Sequence, residues 1–217
     1  ILHRNHDGGT FTDDEEATLA QSRETLLDVR AGRIRPGWDD KVLVDWNGLM
    51  IAALANAGAV FERTDWIEAA VRSFKFIVET MGENDRLWHV WRAGQLQHKA
   101  TLDGYANMAR AALVLHEVTG DISYLTAAEG WTSVLDRHFW DEDGGGYFFT
   151  DEDAEALIVR TKSAADHATP AGNGIAADVL ARTAPTSSRS GERGAQGIGD
   201  RVPKRSLRGA PRAPPPP

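Results

Sequence analysis

The sequence has 217 residues, 41% of them hydrophobic and 26% charged, with a net charge of −8 and no cysteine. That composition suits one globular domain and excludes disulfides, thiolate metal sites and CxxC redox chemistry. The first 183 residues carry 17 basic and 30 acidic side chains, only four of the basic ones Lys, which disfavours nucleic acid and anionic membranes and suits a cytoplasmic protein or one working in high salt.

Residues 1–12 read as irregular, with neither an initiator Met nor a signal-peptide core, as if internal to a longer chain. Thr12 or Asp13 can cap a helix whose first turn holds Glu15 and Glu16, where the dipole favours acids. Leu19, Leu26, Leu27 and Val29 form its apolar stripe, and Gly32 ends it. Pro36-Gly37 turns the chain into Lys41–Val60, KVLVDWNGLMIAALANAGAV, the strongest helix signal in the sequence. A further helix starts at Thr64-Asp65, with Trp66, Ala69, Ala70, Phe74, Ile77 and Val78 on one face. After Gly82, LWHVWRAGQLQH alternates like a short β-hairpin turning at Ala93-Gly94.

The order then repeats. Leu102–Thr119 reads as a helix, Gly120-Asp121 as a turn and Tyr124–Phe139 as a helix. Gly48 aligns with Gly104, and Thr64 with Gly120, at an offset of 56 residues, while Ala127-Ala128 answers Ala69-Ala70. GGGYFFTD and LIVR flank a second expected hairpin around Asp151–Ala156, and a third helix opens at Asn173-Gly174 and breaks off near Arg182. Such units cannot bury their faces alone and need neighbours. From Ala184 the chain is rich in Gly, Ser, Arg and Pro, with too little apolar surface to offset its ordering entropy. Residues 184–217 are therefore expected to be a low-complexity tail, disordered or read out of frame.

The segments RPGWDDKVLVDWNGLMIAALA, LDGYA, FWDEDGGGYFFT and IVRTKSAADHATPAGNGIAA stand in this order. Together they resemble the C-terminal region of the large thioredoxin-domain proteins related to spermatogenesis-associated protein 20, over about residues 1–182. The resemblance implies a mostly α fold: a partial (α/α)6 toroid over 1–183, built from antiparallel helix pairs with short β-hairpins. That is the fold of N-acylglucosamine 2-epimerases and six-hairpin glycosidases. It implies a carbohydrate ligand and, as partner, the thioredoxin-like domain of a parent protein. About half the ring would be present, and this piece alone would be inactive. Two motifs depart from the family. Its LDDYA keeps Asp103 here but has Gly104 as the second residue, and its PSGNS reads Pro170-Ala171-Gly172-Asn173-Gly174, without either serine.

In such a toroid the inner helices begin around a central cavity, so Asn47, Asp103 and Asn173 are candidates to face it. Trp46 and Tyr105 are candidates to stack on a sugar ring, and Trp88, Trp91 and Tyr147 to wall the cleft. Asp103 and Asp166 would be the catalytic carboxylates, with Lys162 as a counter-ion to one of them. An epimerase would instead use histidines, for which His89, His98 and His167 are available. Ordinary roles compete with each. Capping explains Asn47, Asp103 and Asn173 equally well. Core packing explains the tryptophans, above all Trp66, Trp131 and Trp140. A surface loop explains Lys162 and Asp166. DEDGGG from Asp141 lacks the full EF-hand spacing and reads as a glycine turn, so neither a metal nor a cofactor is expected. The competing function is a non-catalytic scaffold.

Overall fold

The structure is a computed structural model that describes residues 11–154 and 158–187. Most of the expected irregular start, three residues of the expected second hairpin and most of the expected tail lie outside the described residues. The chain divides after Asp40 into two compact units.

The first unit holds α1 (Asp13–Ala31). Its start is a reciprocal cap: Thr12 Oγ1 accepts from Glu15 N at 3.3 Å, and Glu15 Oε2 accepts from Thr12 N at 2.8 Å. Gly32 ends it as expected. The apolar stripe forms no core, however. No residue of α1 is buried, and Leu26, Leu27 and Val29 are mostly exposed.

The second unit runs β1 (Val42–Leu43), α2 (Val44–Val60), α3 (Thr64–Met81), β2 (Gly82–Glu83), β3 (Arg86–Arg92), β4 (Gln95–Lys99), α4 (Leu102–Thr119), α5 (Ile122–His138) and α6 (Gly172–Ser187). Helix α6 continues five residues past the expected break at Arg182. Helices α2 and α3 form one hairpin and α4 and α5 the next. Helices α2, α4 and α6 pack side by side as an inner row, with α3 behind α2 and α5 behind α4. Helix α4 lies in the middle of that row, so twelve of its residues are buried rather than one stripe. Glycine permits the closest approach. A Cβ at Gly48 would lie 2.8 Å from the Asn107 backbone, so α2 and α4 cross nearly in backbone contact.

Strand β3 organises a small antiparallel sheet. It pairs with β4 through Trp88↔Lys99 and Arg92↔Gln95, with β2 through Gly82↔Leu87, and with β1 through Leu43↔Val90. Ala93 (φ 49°) and Gly94 (φ 80°) make the expected two-residue turn, of type I′. The second expected hairpin is not a strand pair among the described residues. It is one bridge, Trp140↔Tyr147, with Phe149 N donating to Thr161 O at 2.8 Å. Two left-handed glycines, Gly145 and Gly146, turn the chain there, and Arg160 holds the loop by donating to the Thr150 and His138 carbonyls.

The repeat register differs from the one read off the glycines. Helices α2 and α4 begin at Val44 and Leu102, and α3 and α5 at Thr64 and Ile122, both 58 residues apart. Ala70 and Ala128, both fully buried, share that offset. The structural counterpart of Asp103 is therefore Asp45, not Asn47.

Among the described residues, no helix is long and apolar enough to cross a membrane.

Candidate functional site

The openings of α2, α4 and α6 converge. A Cβ at Gly104 would lie 2.9 Å from Val44 Cγ1, which brings the first turn of α4 against that of α2. Asp103 Oδ1 accepts from Gly172 N at 3.0 Å, which ties α4 to the first residue of α6. Leu102 N donates to Phe149 O at 2.9 Å, so the loop after α5 closes over the same end.

None of the three expected openers is an N-cap. The caps are Leu43 for α2 and Thr101 for α4, with Asn47 and Asp103 inside the first turns. Asn47 bonds back to its own helix start, with Nδ2 donating to Leu43 O at 2.8 Å. Asn173 is a staple: Oδ1 accepts from Tyr147 N at 2.8 Å, and Nδ2 donates to the carbonyls of Tyr147 and Ser163, each at 2.9 Å.

Asp103 is half-buried. Burial pushes its carboxyl above the ordinary aspartate range, the Gly172 amide pulls it back, Asp45 adds to the rise and His89 opposes it. Two further titratable groups, one from α2 and one from β3, are thus close enough to act on it. His89 was among the candidates. Asp45 was missed, and the alanine pairs carry the signal that would have found it.

Asp166 also reaches this end of α6. It is exposed, and its Oδ1 accepts from Ala171 N at 2.8 Å. Asp103 and Asp166 thus take consecutive amides of one chain, which keeps their oxygens within roughly 10 Å. Lys162 serves neither of them. Its Nζ bonds Asp141 Oδ2 and, at 2.6 Å, Gly145 O. That pairing holds the Asp141 carboxyl below its ordinary range. Asp141 Oδ1 also accepts from Asp143 N and Gly144 N, so DEDGGG is the expected turn.

The aromatic candidates separate. Trp46 is 61% exposed at the start of α2. Tyr105 is core: it is 1% exposed, its hydroxyl accepts from Leu87 N at 3.0 Å, and its ring stands edge-on to Phe139. Its helical register points it inward between α4 and β3, so it offers no face to a ligand. Tyr147 is likewise buried, donating to Asp136 Oδ1 at 2.7 Å. Trp88 is half-buried with Nε1 on Glu83, and Trp91 packs edge-on to Phe76. Trp131 packs on Phe74, Trp140 on Tyr147 and Trp66 under the Arg63 guanidinium, the structural roles expected of them. His98 and His167 are exposed.

One group of three among the described residues brings possible metal ligand atoms within 4.8 Å of one another: His138, Glu152 and Asp153. His138 Nδ1 and Glu152 Oε1 already pair at 3.0 Å, and Asp153 is bonded by Arg86 at 2.7 Å, so internal partners account for this surface cluster.

No protein-family model matches the chain. It is similar to spermatogenesis-associated protein 20 of Homo sapiens, with 32% identity over 175 residues, and to that of Rattus norvegicus, with 30% identity over 177 residues. In each case the match covers 76% of this chain but 22% of the relative, so the chain corresponds to about a fifth of these longer proteins. Among solved structures it is similar to cellobiose 2-epimerase from Spirochaeta thermophila, with TM-score 0.56, 19% identity, and coverage of 80% of this chain and 52% of that one. It is also similar to a sugar epimerase from a ruminal bacterium, with TM-score 0.50, 13% identity, and coverage of 73% and 40%. The resemblance read from the four sequence segments is borne out. The fold is an arc of α/α toroid, with α2, α4 and α6 as inner helices.

Proposed function

We propose that this domain binds carbohydrate at the end where α2, α4 and α6 begin, and that Asp103 is its proton-donating residue. The reading is carried by the half-buried Asp103 carboxyl at that convergence, whose burial favours the protonated form. An acid that keeps its proton to higher pH than an ordinary aspartate suits general-acid chemistry on a sugar, whether epimerase-like or glycosidase-like. The exposed Trp46 indole supplies an apolar face of the kind sugar C–H groups pack against. The sugar epimerases that share the fold lend support by analogy of fold alone.

A second reading is a non-catalytic scaffold for a thioredoxin-like domain within a longer cytoplasmic protein. It is favoured by one observation: Lys162, Asp166 and Asn173 are all engaged in internal hydrogen bonds.

Titration calorimetry of the full chain with glucose, mannose, N-acetylglucosamine and cellobiose separates the two. A saturable heat that disappears in Asp103→Ala, with helical content retained, supports the carbohydrate reading. No heat with any of the four, together with measurable binding of a thioredoxin-like domain, supports the scaffold.

A further inference from the structure

The outer layer carries an apolar groove that the described residues do not fill. Helices α3 and α5 stand behind α2 and α4 without packing closely on one another. Between them lies a groove of about 370 Å³, lined by Phe74 and Val78 of α3, by Tyr124, Gly130 and Trp131 of α5, and by Asp85 of the β2–β3 turn. Three rings form its floor. Phe74 stands edge-on to Tyr124 and tilted to Trp131, with centroids 5.1 Å and 5.7 Å apart. Val78 is 40% exposed, and a Cβ at Gly130 would meet nothing within 4 Å, so the groove opens to solvent along both helices. Neither the Tyr124 hydroxyl nor the Trp131 indole N–H has a hydrogen-bond partner among the described residues.

Aromatic rings set side by side are the surface on which a polyproline II segment docks. Proline has no N–H, and polyproline II makes no internal hydrogen bonds, so its carbonyls stay open to donors such as tyrosine O–H and tryptophan N–H. The chain supplies such a segment. Residues 188–217 include Arg212-Ala213 followed by four prolines at 214–217. Four residues of polyproline II span about 12 Å, and eight helical steps, as from Ser123 to Trp131 along the groove, also rise about 12 Å.

Position and charge point the same way. Arg182 Nη2 donates to Glu117 Oε1 at 2.6 Å, which sets the end of α6 beside the end of α4. There the chain turns through Gly120 into α5, so α6 ends near the Ser123 end of the groove. The 26 residues at 188–213 can span up to about 90 Å, ample to reach it. Residues 188–217 carry seven basic and two acidic side chains, against 17 basic and 30 acidic in the first 183. Asp85 is engaged by Arg137, but Asp121, which caps α5 beside Ser123, is exposed.

We infer that the groove between α3 and α5 is the docking site of the chain's own proline run, with prolines 214–217 lying across Tyr124 and Trp131 and Arg212 meeting Asp121. This inference is independent of the carbohydrate reading.

The chain has no cysteine, so a spin label on Ala213→Cys is site-specific. In the full chain the label should broaden the Trp131 indole and Gly130 amide resonances and leave the amide of His167, on the loop before α6, sharp. Replacing all four prolines by serine should restore both signals, as should Gly130→Leu, which fills the groove. Absence of broadening at Trp131 and Gly130 overturns the inference. Undiminished broadening in the serine variant overturns it too, since charge alone then holds the segment. A mixture of spin-labelled chains with isotope-enriched, unlabelled ones should show no broadening. If it does, the occupant comes from a second copy and docking within one chain is wrong. Should Gly130→Leu fail to fold, the serine variant, whose changes lie outside the packed helices, decides.

Discussion

Asp103 Oδ1 accepts a hydrogen bond from the Gly172 amide at 3.0 Å, so the second residue of α4 satisfies the first residue of α6 across 69 positions of chain. The bond requires glycine. A Cβ at position 172 would overlap Asp103 Oδ1 and lie 2.7 Å from Leu102 Cγ. Gly172→Ala should therefore lower stability by about 1–3 kcal/mol. Gly130, on α5, has open space around it, and Gly130→Ala should raise stability by about 0.5–1 kcal/mol. Urea denaturation of both variants checks this, and equal effects would sink it.

Asp103 also predicts a pH dependence. Its folded pKa is raised by burial, so the stability it contributes is fully present below its unfolded pKa and lost as pH rises through the folded one. Asp103→Asn keeps an acceptor for Gly172 and never ionises. The melting temperature of the variant relative to wild type should rise between pH 3 and pH 7. A fall over that window would mean the carboxylate is stabilised by the fold.

The Lys162–Asp141 pair has the opposite sign. Asp141 is lowered by Lys162, so its contribution is present above the unfolded pKa and lost as pH falls through the folded one. Lys162→Ala should be less stable than wild type at pH 7, and the gap should close on acidification. A gap independent of pH would assign Lys162 to packing on the Phe148 ring.

Asn173 holds two loops to α6 through three hydrogen bonds. Asn173→Ala should cost about 2–3 kcal/mol, read as a lower denaturation midpoint with an unchanged slope. A loss below about 0.5 kcal/mol would class it with ordinary surface positions.

Tyr105 separates core from cavity. Tyr105→Phe leaves the Leu87 amide without its acceptor and should cost about 1–2 kcal/mol with no change in sugar affinity. A drop in affinity at unchanged stability would return the ring to the cavity.

Much of the fold was legible because it is local. The Thr12–Glu15 cap, the Ala93-Gly94 turn, the left-handed Gly120 and the DEDGGG turn each follow from a few neighbouring residues. The convergence of inner-helix openings was legible too, because helix–helix–hairpin units can bury their faces only by stacking. The repeat register was misread. Glycines at 48 and 104 look equivalent in sequence, yet they do different packing work: Gly48 admits the Asn107 backbone and Gly104 admits Val44.

The sequence by itself determined the helices, the β3–β4 hairpin and the acids and amides gathered at one end, because periodicity and turn chemistry act over a few residues. Which of those groups is spent on an internal partner was decided by tertiary structure. Tyr105 went to the core, Lys162 to Asp141 and Asn173 to Tyr147, while Asp45 and His89 were left unpaired beside Asp103. The reason is physical. A long-range hydrogen bond depends on where two packed helices cross, and that is set by the volumes at their interface rather than by the spacing of residues along either one.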